Sequence, residues 1–291
     1  MASNRHKIPD EEIKEAYDYY LTHNVGIRKA AEHFNMSFNT LRRYMNRNKL
    51  NDSVKHKKEL FDENFFNILD TEKKAYWFGM LYTDGNVTYN LETYEYRLTF
   101  SLRERDKELI EKFARDIGIK DVDKVIEIRE TSFSTNPDKK YKSAGIRVSS
   151  KKMMQDLMKY GCVPDKTHNG KLNMDVLSNL PNNLKIAFLR GFLDGDGYFH
   201  YKNWHVYFSI YRKEIAEQIQ QLILETFNIK TKLTFQENKV FISDDGQNGS
   251  YIVSIQYRED AKKFLRGIYK GASIYLNAKY QSYLALEEAL R

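Results

Sequence analysis

Two aspartates stand in matched settings 112 residues apart. Asp84 closes the run Ala75-Tyr-Trp-Phe-Gly-Met-Leu-Tyr-Thr-Asp-Gly85, and Asp196 closes Phe188-Leu-Arg-Gly-Phe-Leu-Asp-Gly-Asp-Gly197. Each run reads as an apolar helix ended by Asp-Gly, with the glycine as a left-handed cap. A carboxylate there faces the negative end of the helix dipole, which costs about 0.3–1 kcal/mol. The same choice made twice points to a bound cation or to another compensation. Gly79 with Thr83, and Gly191 with Gly195, lie four residues apart on one helix face. Glycine lets a second backbone come close. The pattern predicts two helices packed together that deliver two carboxylates to neighbouring points.

Both runs resemble the LAGLIDADG motif of homing endonucleases, in the two-motif, single-chain form, over about Thr71 to Arg291. The second copy is the nearer match. The first carries Tyr82 where the motif usually has an acid, the place held by Asp194 in the second. The resemblance implies an α+β fold of two pseudo-symmetric αββαββα halves with antiparallel, saddle-shaped sheets. It implies a site-specific enzyme that hydrolyses phosphodiester bonds on both strands of a long asymmetric DNA target. Asp84 and Asp196 would be catalytic and would hold Mg²⁺ (or Mn²⁺, with Ca²⁺ as a non-cleaving substitute), one acid serving each strand. The backbone groups completing the metal shell are left open. Lys166, in Gly161-Cys-Val-Pro-Asp-Lys-Thr167, and Lys279, in Tyr275-Leu-Asn-Ala-Lys-Tyr280, resemble the family's active-site lysine segments. Glu104, Arg212 and Asp194 are further residues to test beside them. The alternative on the same fold is a DNA- or RNA-binding maturase or transcription regulator without cleavage. Two motifs in one chain imply a monomer.

The elements that must position these groups show in the periodicity. Asp10 to about Asn48 reads as three short helices, with Ile13, Ala16, Tyr17, Tyr20, Ile27, Ala30, Ala31, Phe34, Leu41, Tyr44 and Met45 inward. Ser37 is the expected N-cap of the third. The stretch from Ile27 to Met45 resembles a helix-turn-helix of the resolvase or Pipsqueak type. Its third helix would meet DNA through Ser37, Asn39, Thr40 and Arg43, with Arg42 and Arg47 nearer phosphates. After the first motif the chain turns to period two: Tyr96, Leu98, Phe100 and Leu102 alternate with Arg97, Thr99, Ser101 and Arg103. That is the mark of a sheet with one wet face. Helices are expected over 107–117 and 151–160 and strands over 122–129 and 145–149, with the polar stretch 131–143 as a connection. The second half repeats the order, with helices over 214–227 and 261–268 and strands over 232–241 and 251–257. The wet faces offer Arg97, Arg103, Arg129 and Arg147 in half one. In half two they offer His205, Tyr207, Tyr211, Lys232, Thr234, Gln236, Ser254 and Gln256, types able to read base edges in a major groove. The expected domains are 1–48, a linker at 49–70, and halves at 71–178 and 179–291.

Bulk properties agree with a nucleic-acid partner. Among 291 residues, 47 Lys/Arg against 40 Asp/Glu give a net charge of +7. Residues 1–60 hold 12 basic and 8 acidic residues, a net +4, so the basic charge is densest there. No apolar run is long enough for a membrane helix, and the N-terminus reads as no secretory signal, so an intracellular setting is expected. Cys162 is the single cysteine, which excludes an intrachain disulfide and a cysteine-built zinc site.

Overall fold

The computed structural model describes residues 8–23, 26–48, 50, 61–90, 95–133, 136–200, 203–237 and 248–289. The chain divides into two compact units, 1–60 and 61–291.

In the smaller unit, α1 (Asp10–Thr22), α2 (Ile27–His33) and α3 (Phe38–Arg47) enclose Ile13, Ala16, Tyr20, Ala30, Ala31, Met36, Leu41 and Met45. Asn35 takes the left-handed conformation, at φ 50°, that turns α2 toward α3. The Ser37 hydroxyl accepts the backbone N–H of Thr40 at 3.1 Å and so caps α3.

The larger unit opens with α4 (Glu72–Asp84), whose first turn is capped by Thr71 accepting from the Lys74 N–H. Strands β1 (Gly85–Asn90) and β2 (Glu95–Arg103), helices α5 (Lys107–Asp116) and α6 (Val122–Val125), strands β3 (Ile126–Phe133) and β4 (Asn136–Val148), and helix α7 (Lys151–Lys159) complete the first half. Short helices α8 (Lys166–Asn169) and α9 (Met174–Leu177) lead to α10 (Asn182–Asp196), the second motif helix. Then follow β5 (Gly197–His200), β6 (Asn203–Ile210), α11 (Lys213–Phe227), β7 (Lys232–Glu237), β8 (Gly249–Ile255), α12 (Arg258–Tyr269) and α13 (Asn277–Glu288). The sheets have equivalent orders, β1-β2-β4-β3 and β5-β6-β8-β7, and every pairing is antiparallel. One continuous apolar core runs from Phe65 to Leu286 and includes both motif helices.

Four expectations need correction. The glycines after the motif acids are not left-handed caps: Gly85 has φ −77° and Gly197 φ −85°, both extended. Each starts a strand directly from the helix end, and its N–H still reaches back to Leu81 or Leu193. Glycine is needed because the chain folds over its own helix: a Cβ on Gly85 would stand 2.5 Å from the Leu81 carbonyl oxygen, and one on Gly197 2.6 Å from that of Leu193.

Within the polar stretch, residues 131–133 and 136–143 are strand and belong to the β3–β4 hairpin, in which Thr131 pairs with Tyr141 and Arg129 with Ser143. Its described residues are exposed on both faces at the far end, so they show no apolar alternation. The strand expected from residue 122 begins at Ile126, after one turn of helix. The linker expected at 49–70 ends by Leu60, because Phe65, Phe66 and Leu69 are buried in the larger core. Residues 51–60, and 238–241 of the expected seventh strand, lie outside the described residues.

Candidate active site

The packing of α4 against α10 sets the site. Gly79 faces Phe188 and Phe192, and Gly191 faces Tyr76 and Met80, equivalent contacts at positions 112 residues apart. A Cβ on Gly79 would collide with the Phe188 carbonyl oxygen, and one on Gly191 with that of Tyr76. Thr83 lies against Gly195, where an added Cβ would also meet Asp84 Oδ2 at 3.0 Å. The two helix ends, each with its aspartate, therefore lie side by side at the local two-fold.

Both aspartates open to solvent on one side and are crowded by protein on the other. Burial and the neighbouring Asp196 carboxylate push Asp84 up to about 6, against the pull of Lys279 and Lys166. Asp196 is also raised by burial, against Lys166 and Lys279. The lysines take the place beside the acids that the helix dipole asks for. The Lys279 ammonium donates to the carbonyl oxygens of Leu193 (2.6 Å), Asp194 (2.7 Å), Gly197 (2.7 Å) and Gly195 (3.3 Å). Lys166 Nζ donates to the Gly85 carbonyl oxygen. Each lysine thus meets the carbonyl just after a motif acid, and a side-chain cation offsets the negative helix end. Burial lowers Lys279, and Asp194, Asp84 and Asp196 oppose that shift.

Asp194 has a different task from its neighbours. It is buried, Tyr269 Oη donates to its Oδ1 at 2.7 Å, and Tyr76 Oη (2.8 Å) and the Leu276 N–H (2.7 Å) donate to its Oδ2. Burial raises its carboxyl, and the Tyr269 hydroxyl leads the groups that oppose this. It ties α4, α12 and the 275–278 segment to α10 instead of lining the cleft. Arg190, also buried, donates to the Ile268 carbonyl oxygen at 2.9 Å and pairs with Glu72. Sequence reading singled out neither the Arg190 pair nor the tyrosine partners of Asp194, because these groups come from segments far apart in the chain. Arg212 donates to the His168 carbonyl oxygen and pairs with Glu214 at 3.2 Å, while Glu104 is exposed.

The polar sheet residues fall in register. Thr88 pairs with Arg97, Thr99 with Arg147, and Ser143 with both Arg103 and Arg129. Arg97 is half-buried and pairs with Glu95 at 3.0 Å, and Arg129 pairs with Glu127. Arg103 and Arg147 are exposed. In the second sheet Lys232, Thr234 and Gln236 are exposed along β7, as is Gln256 beyond β8, and His205 Nδ1 lies 3.0 Å from the Tyr207 hydroxyl. Ser254 is buried and donates to the Lys232 carbonyl oxygen, since its strand is flanked on both sides by β6 and β7. In the smaller unit Asn39, Arg42 and Arg43 are exposed on α3. Ser37 and Thr40 share a hydroxyl–hydroxyl bond of 2.8 Å, and Arg47 pairs with Asp10 at 2.6 Å.

Residues 183–269, from the start of α10 to the end of α12, match the family model described as a LAGLIDADG-like domain. The chain carries a LAGLIDADG-like domain. Residues 9–50 match the Psq-type helix-turn-helix. Among solved structures, the homing endonuclease I-WcaI bound to its DNA recognition sequence is similar at 14% identity and a TM-score of 0.53, over 79% of this chain and 94% of that one. This likeness shows the fold, two antiparallel sheets with their helices. I-DmoI in complex with DNA and Ca aligns at 17% identity and a TM-score of 0.48, over 78% of this chain and 99% of that one. The N-terminal LAGLIDADG domain of DUF199/WhiA aligns at 15% identity and a TM-score of 0.43, over 78% and 96%. No curated protein matches the chain. Among the described residues no helix is long and apolar enough to cross a membrane.

Proposed function

We propose that this LAGLIDADG-like chain is a site-specific endonuclease that cuts both strands of a long asymmetric DNA target with the help of divalent metal ions, Mg²⁺ foremost. The observation that carries the reading is the pair Asp84 and Asp196, delivered by two glycine-packed helices to adjacent points between two sheets. The raised Asp84 supports the fit to a cation, since two crowded carboxylates gain from a positive charge between them. The donors are all oxygen, as Mg²⁺ prefers, and water and phosphate oxygens would supply its remaining ligands. Such a metal, when bound, neutralises phosphate charge and favours ionisation of the attacking water.

The chain's own residues do the rest. Asp84 and Asp196 hold their carboxylates at fixed places because each ends a helix and the next residue already begins a strand. Lys166 and Lys279 brace those helix ends and keep positive charge beside the acids. The exposed arginines and polar groups of the two sheets grip backbone and base edges. The Psq-type unit adds Asn39, Arg42 and Arg43 as a further set of DNA contacts. That I-WcaI, of similar fold, binds its DNA recognition sequence supports the choice of duplex DNA as partner.

The test is incubation with a library of duplex targets in Mg²⁺ and in EDTA. The expected result is Mg²⁺-dependent double-strand cutting at one sequence, abolished in Asp84→Asn and in Asp196→Asn with binding retained. Tight binding to a sequence that Mg²⁺ never causes to be cut would instead favour a maturase or regulator. Full cutting by either aspartate variant would refute the site assignment.

A further inference from the structure

The arginines of the smaller unit are held in two ways. Arg47 lies over the Tyr44 ring, its Cζ 5.6 Å from the centroid, and is paired with Asp10, so its charge is answered within the protein. Arg28, from the first turn of α2, and Arg42, from α3, share one ring instead. Their Cζ atoms stand 5.3 and 5.5 Å from the centroid of Phe38, the half-buried first residue of α3. Both distances are within the reach of a cation–π contact. Both arginines are exposed, and neither is paired with a carboxylate among the described residues.

The two ways differ in what they leave over. An acid orients a guanidinium and also neutralises it. An aromatic face orients it but leaves the full charge and the in-plane N–H donors for another partner. Two cations beside one ring repel each other, with no acid between them to offset the repulsion, and an anion that meets both relieves it. The planar fork of donors on each group suits phosphate oxygens. Spacing along α3 groups Arg42 with Arg47, whereas the structure groups it with Arg28 of the preceding helix.

We propose that Arg28 and Arg42 form a phosphate-binding pair for the backbone of duplex DNA, that Phe38 is the residue positioning both, and that Arg47 takes no part. Contacts of this kind fix a protein's register on the duplex without reading its sequence. One arginine from each of two helices sets the pose of α3, on which Asn39 and Arg43 are exposed. The inference rests on the reading of duplex DNA as the partner of the Psq-type unit.

The experiment measures binding of the full chain, in EDTA, to two duplexes of unrelated sequence over a series of salt concentrations, with thermal melts of every variant. Arg28→Gln is expected to weaken binding roughly tenfold at low salt, by a similar factor on both duplexes. The slope of log affinity against log salt becomes shallower by about 0.9, the worth of one phosphate contact. Arg47→Gln changes that slope by less than half as much. Phe38→Leu keeps every charge yet weakens binding to both duplexes, and Phe38→Tyr, which keeps the ring, binds as the parent does. Parent-like binding by Arg28→Gln, a loss confined to one duplex, or an equal slope change in Arg47→Gln each overturn the pair, whether or not Phe38→Leu folds. A folded Phe38→Leu that binds like the parent overturns the positioning role. A parent chain that binds neither duplex refutes DNA as the partner and this inference with it; a binding parent with an unaltered Arg28→Gln refutes the inference alone.

Discussion

Asp84 carries a charge that the metal-free fold resists. Its folded carboxyl titrates at about 6, whereas an unfolded aspartate titrates near 4. The folded state therefore binds the proton more tightly, and stability is lost as pH rises from about 4 through about 6. Asp84→Asn should remove that loss. In EDTA its gain over the parent should be near zero at about pH 4 and on the order of 1 kcal/mol at pH 7.5, a figure reduced because solvent reaches the pair. Melts across that range check it, and a gain independent of pH would contradict the assignment. The two aspartates stood out from the repeated motif, whereas the two lysines entered only through the resemblance of their segments. The locked state of Asp194 was not, since Tyr76, Tyr269 and Leu276 are remote from it in sequence. Nor was the burial of Ser254, which depends on its strand lying between two others.

At the scale of elements, the contact between α4 and α10 tolerates no added volume. Gly191→Ala sets a methyl group against the Tyr76 backbone oxygen, which no rotamer can relieve. A loss of about 3 kcal/mol or more is expected in chemical denaturation, the range of severe overpacking. A loss below about 1 kcal/mol would show that the helices part more easily than their geometry indicates. The small-residue spacing made this contact visible in advance, as the apolar period did the three N-terminal helices. The αββαββα order implies the short strands β1 and β5, but their starts did not show in the residues because they begin right after each motif acid, where a cap was expected. Of the β3–β4 hairpin, expected over 122–129 and 145–149, only the far end escaped, because it is wet on both sides.

At the scale of the whole molecule, two cores sustain two units. Deleting residues 1–60 should leave a larger unit that unfolds cooperatively and cuts DNA in Mg²⁺. The deletion removes +4 of the net +7, so affinity should fall and its dependence on salt should become shallower. Binding measured over a series of salt concentrations tests this. An unfolded product, or an unchanged salt slope, would count against independent units with a shared DNA-binding task. Charge and period showed the basic N-terminal unit in the sequence. The true start of the larger unit at Phe61 did not show, because three buried side chains sit in an otherwise polar stretch. The direct passage from Asp84 into β1, and from Asp196 into β5, also makes each motif a lever without a joint. If a mismatched target tilts a sheet by a fraction of an ångström, the carboxylate at its root moves with it. On the endonuclease reading, such a target would be held and still go uncut, and fidelity at the cutting step would exceed fidelity at the binding step.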